Sequence, residues 1–245
     1  MHTYMPRIVI FLAYTIGFGS FIAFGAFCYA GPWHLVRLGL TDNIALMLDA
    51  FISLIFFIQH SVMVRKSFRR YLAQYIPEIY IGAVYAISSG IALFIVLLFW
   101  QSTTGNVATA YGPFRWFLRM AFAASIAGFF WGSRALGHFD PLGIRVILRH
   151  LRGKESKEIP LTIKGPYRYV RHPLYLFTLI LIWSYPDLTP DRLLFNILWS
   201  VWIYIATLLE ERDMISDFGE IYRQYQQKVP MFIPWRLSCF SRLNQ

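Results

Sequence analysis

Three short polar clusters stand out in the 245-residue chain, each at the edge of an apolar run. The first is Gln59-His60-Ser61, followed by Arg65-Lys66. The second is Gly165-Pro166-Tyr167-Arg168-Tyr169-Val170-Arg171-His172-Pro173-Leu174-Tyr175. The third is Glu210-Glu211-Arg212-Asp213. Pro173 suits the first turn of a helix, where its missing N–H costs nothing. The residues just before it then present free backbone donors and a positive helix end. Such an end holds a carboxylate or another anion. Glu210 and Glu211 can pair with Arg171, or accept from an ammonium group and ribose hydroxyls. A molecule with a carboxylate, an ammonium and an adenosine matches this inventory, and S-adenosylmethionine is one such molecule.

Ordinary roles compete at each cluster. Arg65, Lys66, Arg69 and Arg70 fit topology anchors as well as ligands. Tyr167 and Tyr175 fit an interfacial aromatic belt. The acidic cluster fits a solvated end that pairs with itself, and a lone His60 more often packs or caps than catalyses. Asp49 lies about 16 Å from His60 along a helix rising 1.5 Å per residue. Its position near a helix start leaves it outside the site.

The elements that position these clusters belong to a membrane. The chain is 57% hydrophobic, 18% aromatic and only 15% charged, whereas soluble domains average about 45–50% apolar and about 25% charged. Disorder is excluded by the abundance of aromatic and aliphatic residues. A span needs about 20 apolar helical residues. Such runs cover 8–29, 44–64, 79–100 and 114–131; a polar stretch covers 133–172; shorter apolar runs cover 173–185 and 193–209. The turn Pro186-Asp187-Leu188-Thr189-Pro190-Asp191 breaks the last two into a tight hairpin, which brings the second and third clusters together. The net charge of +10 is then a topology signal and not a nucleic-acid footprint. With six spans, 19 of the 23 Lys and Arg fall on one side and three on the other, which predicts cytoplasmic termini. No internal repeat favours a transporter built from two halves. Cys28 and Cys239 make neither a disulfide framework nor a metal set.

The run from Gly165 to Tyr175, then Glu210-Glu211, then Phe218-Gly219-Glu220-Ile221-Tyr222-Arg223-Gln224-Tyr225 and Val229-Pro230-Met231-Phe232-Ile233-Pro234, resembles the isoprenylcysteine carboxyl methyltransferase superfamily. Phe57-Ile58-Gln59-His60-Ser61-Val62-Met63-Val64-Arg65, Phe99-Trp100-Gln101 and Gly137-His138-Phe139-Asp140-Pro141-Leu142-Gly143-Ile144-Arg145 resemble its methanethiol S-methyltransferase and NnrU-like branch.

The resemblance implies an all-α, polytopic integral membrane protein with about six transmembrane helices, a C-terminal helical hairpin and a cytoplasmic tail that covers the cofactor. The whole chain, 1–245, reads as one domain, with four helices over 1–132 and the cofactor loop, hairpin and tail over 133–245. The implied cofactor is S-adenosylmethionine, held by Tyr167, Val170, Arg171, His172, Pro173, Tyr175, Glu210 and Glu211, with Tyr222 and Tyr225 packing on it from the tail. The implied reaction methylates a small thiol or another lipophilic acceptor entering from the lipid bilayer. A thiol must first lose its proton, which makes His60 the candidate base and Arg65 the group that holds the anion; Glu211 completes the catalytic set. The alternatives are carboxyl methylation of a prenylated cysteine and a non-catalytic NnrU-like protein of nitrogen-oxide metabolism. The expected location is the bacterial inner membrane.

Overall fold

The computed structural model describes residues 4–137, 139–154 and 161–234. His138 and Cys239, named above, lie outside the described residues, as do Lys157, Arg236 and Arg242, three of the basic residues counted there. The elements are α1 (Met5–Ala30), α2 (Asp42–Val64), α3 (Lys66–Leu72), α4 (Glu78–Phe99), β1 (Ala108–Thr109), α5 (Gly112–Leu136), α6 (Ile144–Leu151), α7 (Pro173–Trp183), β2 (Asp187–Leu188), α8 (Pro190–Phe218) and α9 (Glu220–Lys228). Helix α1 contains a π-helical stretch, Ala13–Phe18.

Four helices, α1, α2, α4 and α8, are long and apolar enough to cross a membrane. The protein is therefore a helical membrane protein. Helix α5 has 25 residues, but Arg115, Arg119 and Arg134 dilute its apolar character. Helix α7 has 11 residues, about 17 Å at 1.5 Å per residue, roughly half the hydrocarbon thickness. The acidic cluster expected to leave the last span instead lies inside α8. Glutamate, arginine and methionine are good helix formers, so the helix runs on through Glu210–Asp213 and stops only before Gly219, whose φ is 56°. The proline turn at 186–190 also does more than break a helix: β2 pairs antiparallel with β1, Ala108 opposite Leu188 and Thr109 opposite Asp187.

Packing divides the chain into two compact units. The first comprises 1–109, 140–158 and 187–198; the second comprises 110–139, 159–186 and 199–245. In the first unit, α6 turns Ile144 and Ile147 into a cluster with Ala13 and Ala83, and leaves Arg145 and Arg149 exposed. Two buried aspartates tie its loops. Asp49 Oδ1 accepts from the Gln101 backbone N–H, and Asp191 accepts from Trp100 Nε1 and from both the backbone and hydroxyl of Thr103. Arg192 is 1% exposed. It donates to the carbonyls of Phe27 and Cys28 and stacks on the rings of Phe27 and Phe195, which offsets the burial of its charge.

In the second unit, α5 and α7 pack closely because α5 presents glycines at the contact. A Cβ on Gly128 would lie 2.4 Å from the Phe177 ring, and one on Gly132 would lie 2.7 Å from Leu174. Helix α7 is thereby held directly against α5, which fixes where its N-terminus opens.

Candidate active site

The site in the second unit is built around the turn into α7. Gly165–Arg168 form a 3-10 turn, and His172 precedes Pro173 at the first helical position, as expected from the proline. The backbone donors just before Pro173 are not free as expected: the N–H groups of Arg171 and His172 donate to the carbonyls of Pro230 and Met231, 2.9 and 3.2 Å, because the chain beyond α9 returns to them. The chain after α9 thus lies along this turn as an extra strap.

Arg171 is the hub. Its Nε donates to Glu211 Oε1 at 2.6 Å, and its Nη1 donates to the carbonyls of Gln226 and Val229. Both ion-pair partners have side chains only 9% exposed. Glu211 Oε1 also meets His172 Nε2 at 3.0 Å, and Glu211 Oε2 accepts from Gln226 Nε2 at 2.8 Å. The carboxylate is therefore fully engaged by protein groups, as a buried charge requires. Glu210 is different. Its Oε2 accepts from the Tyr175 hydroxyl at 2.6 Å, and no donor among the described residues reaches its other oxygen. The His172 ring stacks on the Tyr175 ring, 5.7 Å between centroids and 12° between planes, and Phe232 lies 6.2 Å from His172.

The structure brings together all eight residues expected at the cofactor: Tyr167, Val170, Arg171, His172, Pro173, Tyr175, Glu210 and Glu211. It divides their roles. Arg171 and Glu211 bind each other and the strap, while Glu210, His172 and Tyr175 face one another around the helix opening. Tyr222 and Tyr225 fill a core with Val229, Leu161, Ile163, Met214, Ile215 and Phe218, and the Tyr225 hydroxyl donates to the Tyr167 carbonyl. Burial pushes the hydroxyls of Tyr167, Tyr222 and Tyr225 well above the ordinary tyrosine range, so all three act as neutral donors or acceptors.

His60 and Arg65 belong to the first unit. The Tyr85 hydroxyl lies 2.8 Å from His60 Nε2, Phe56 packs 5.4 Å from its ring, and neighbouring Gln59 donates to Ser89 at 3.4 Å. Arg65 lies at the junction of α2 and α3.

Two participants were not legible in the sequence. Gln226 bridges Arg171 and Glu211, yet it reads as one more polar residue on an exposed helix face. Tyr85 holds the His60 ring, yet it sits in an apolar run where an aromatic residue reads as core.

Fold and site together define a helical membrane protein whose ordered polar centre is a carboxylate pair set against a helix N-terminus. No family model matches the chain, and no solved structure does. A Methanethiol S-methyltransferase from a Pseudomonas species is 35% identical over 91% of this chain and 84% of its own length. One from Mycobacterium tuberculosis is 32% identical over 74% of this chain and 75% of its own. Nurim from Rattus norvegicus is more distant, 24% identical over 73% and 71%. The chain belongs to the methanethiol S-methyltransferase family.

Proposed function

We propose that the protein transfers a methyl group from S-adenosylmethionine to a small thiol such as methanethiol. The family's named activity supports the acceptor. The observation that carries the cofactor assignment is Glu210. It is a carboxylate ordered by Tyr175, with one oxygen left for a donor, at the positive opening of α7.

The residues present fit this cofactor. The first-turn N–H groups of α7 suit its carboxylate. Glu210 Oε1 suits the ammonium or a ribose hydroxyl. The stacked His172 and Tyr175 rings offer aromatic surface to the sulfonium and the adenine. Arg171 and Glu211 position the strap and the helix opening through each other. Bound there, S-adenosylmethionine supplies an electrophilic methyl carbon for in-line displacement by sulfur. The products are a methyl thioether, S-adenosylhomocysteine and the proton released by the thiol.

On the acceptor side the assignment rests on chemistry. The thiol is a nucleophile only after losing its proton, and His60 is the group that takes it. The Tyr85 hydroxyl, 2.8 Å from Nε2, holds the ring in place. Arg65 is assigned to the resulting thiolate. Because 19 of the 23 basic residues fall on one side of the six-span arrangement, we place both termini in the cytoplasm and the protein in a bacterial inner membrane, with α5 and α7 as the two further spans.

The test is His60→Ala in purified protein. Removing a general base lowers turnover by about 10²–10⁴-fold, while S-adenosylhomocysteine binding stays at the wild-type level. Wild-type turnover in the variant would remove His60 from the reaction.

A further inference from the structure

The second unit also carries a cleft of about 650 Å³ that shares only Gly165 with the turn described above. It opens where the end of α5 meets the Gly165 turn, and Trp131, Arg134, Leu136, Thr162, Lys164 and Gly165 line it. Among the described residues its lining has two cations and no carboxylate. Among the described residues, the side chains of Arg134 and Lys164 have no ion-pair or hydrogen-bond partner, and neither does the Trp131 indole N–H. Three donors that make no hydrogen bond or ion pair among the described residues therefore line one concave space, which is the chemistry of an anion site.

A second observation says what carries the anion. An exposed apolar strip runs along α5 into this cleft: Trp116, Met120, Ala123, Ala127 and Trp131. Their spacing of i, i+4, i+7, i+11 and i+15 puts them on one helix face. Trp116, Met120 and Trp131 are 72%, 66% and 50% exposed. The two alanines leave a shallow groove between the large side chains. From Met120 to Trp131 the groove is about 17 Å long at 1.5 Å per residue, close to the depth of one hydrocarbon leaflet, about 15 Å. An isolated phosphate would use the cations and ignore the groove. A lipid uses both.

We propose that the Trp131–Arg134–Lys164 cleft and the Ala123–Ala127 groove together bind one anionic phospholipid. The phosphate sits among the three donors, and an acyl chain lies along the alanines. Basic pockets beside membrane helices recognise anionic headgroups in this way.

Native mass spectrometry of the full-length protein, released from detergent after incubation with phosphatidylglycerol, phosphatidylcholine or inorganic phosphate, tests this. Wild-type protein is expected to retain one phosphatidylglycerol in preference to phosphatidylcholine. The Arg134→Ala/Lys164→Ala double variant should weaken that retention by about thirtyfold. Ala127→Trp, which fills the groove and leaves the charges intact, should also lose the lipid. Both variants should keep S-adenosylhomocysteine binding, which shows that they are folded and separates this site from the cofactor site. Equal retention in the double variant overturns the proposal. So does full phosphatidylglycerol retention by Ala127→Trp, or inorganic phosphate displacing the lipid completely, since either reduces the cleft to a simple anion site. Loss of S-adenosylhomocysteine binding in the double variant, with lipid retained, would overturn it in favour of a cofactor role for the cleft.

Discussion

Arg171→Ala is expected to abolish methyl transfer and to lower the unfolding midpoint more than any other single change in the site. Removing one partner of a buried ion pair costs about 3–5 kcal/mol, because the other charge stays buried without compensation. Here the effect is compounded. The Arg171 guanidinium also holds the carbonyls of Gln226 and Val229, so it fixes the strap at two further points, while the backbone bond from residue 171 to Pro230 would survive the change. His172 and Gln226 would still contact Glu211, which keeps the loss from being larger. Arg171→Lys retains the charge but loses the planar fork that serves several acceptors at once, so it should recover only part of the stability. A double-mutant cycle with Glu211→Gln, read by thermal unfolding in detergent, isolates the pair. The role is positioning, and the expected signature is a matched loss of stability and turnover. A wild-type midpoint in Arg171→Ala would show that the pair does not hold the strap.

Glu210→Gln should behave in the opposite way, with stability nearly unchanged and cofactor affinity strongly reduced. The amide oxygen can still accept from the Tyr175 hydroxyl, so the local geometry survives. What disappears is the negative charge offered by the second carboxylate oxygen. Hydrogen bonds to charged groups contribute about 1.5–3 kcal/mol, which is about a 10- to 150-fold weaker dissociation constant. Calorimetric titration with S-adenosylhomocysteine measures it. An unchanged constant would exclude Glu210 from the cofactor site and leave Tyr175–Glu210 as a structural contact. The contrast between the adjacent glutamates follows from their partners, since Glu211 is saturated by protein donors and Glu210 is not.

The apolar runs that became α1, α2 and α4 were legible because an uninterrupted stretch of that length has no other stable solution in a membrane protein. The N-terminus of α7 was legible because proline fixes φ and removes a donor, so Pro173 marks the start of a helix by itself. The pairing of the second and third clusters was legible too, since opposite charges on either side of a tight hairpin have few other partners. The end of α8 was not. Polarity suggested a stop at Glu210, but these residues favour helix, and only Gly219 ends it. The ladder between 108–109 and 187–188 was invisible because two residues cannot show an alternating pattern. Long-range contacts such as Tyr225 with the Tyr167 carbonyl depend on where the strap lands, which no local signal records.

The most direct test of the central claim follows the methyl group itself. Purified protein in detergent is incubated with methanethiol and S-adenosylmethionine labelled in its methyl group, and both products are quantified. The account predicts labelled dimethyl sulfide and S-adenosylhomocysteine in equal amounts, with the rate of labelling strongly reduced when Glu210 or His60 is replaced by alanine. S-adenosylhomocysteine formed without labelled thioether would contradict the acceptor, and the absence of both products would contradict the methyltransferase reading altogether.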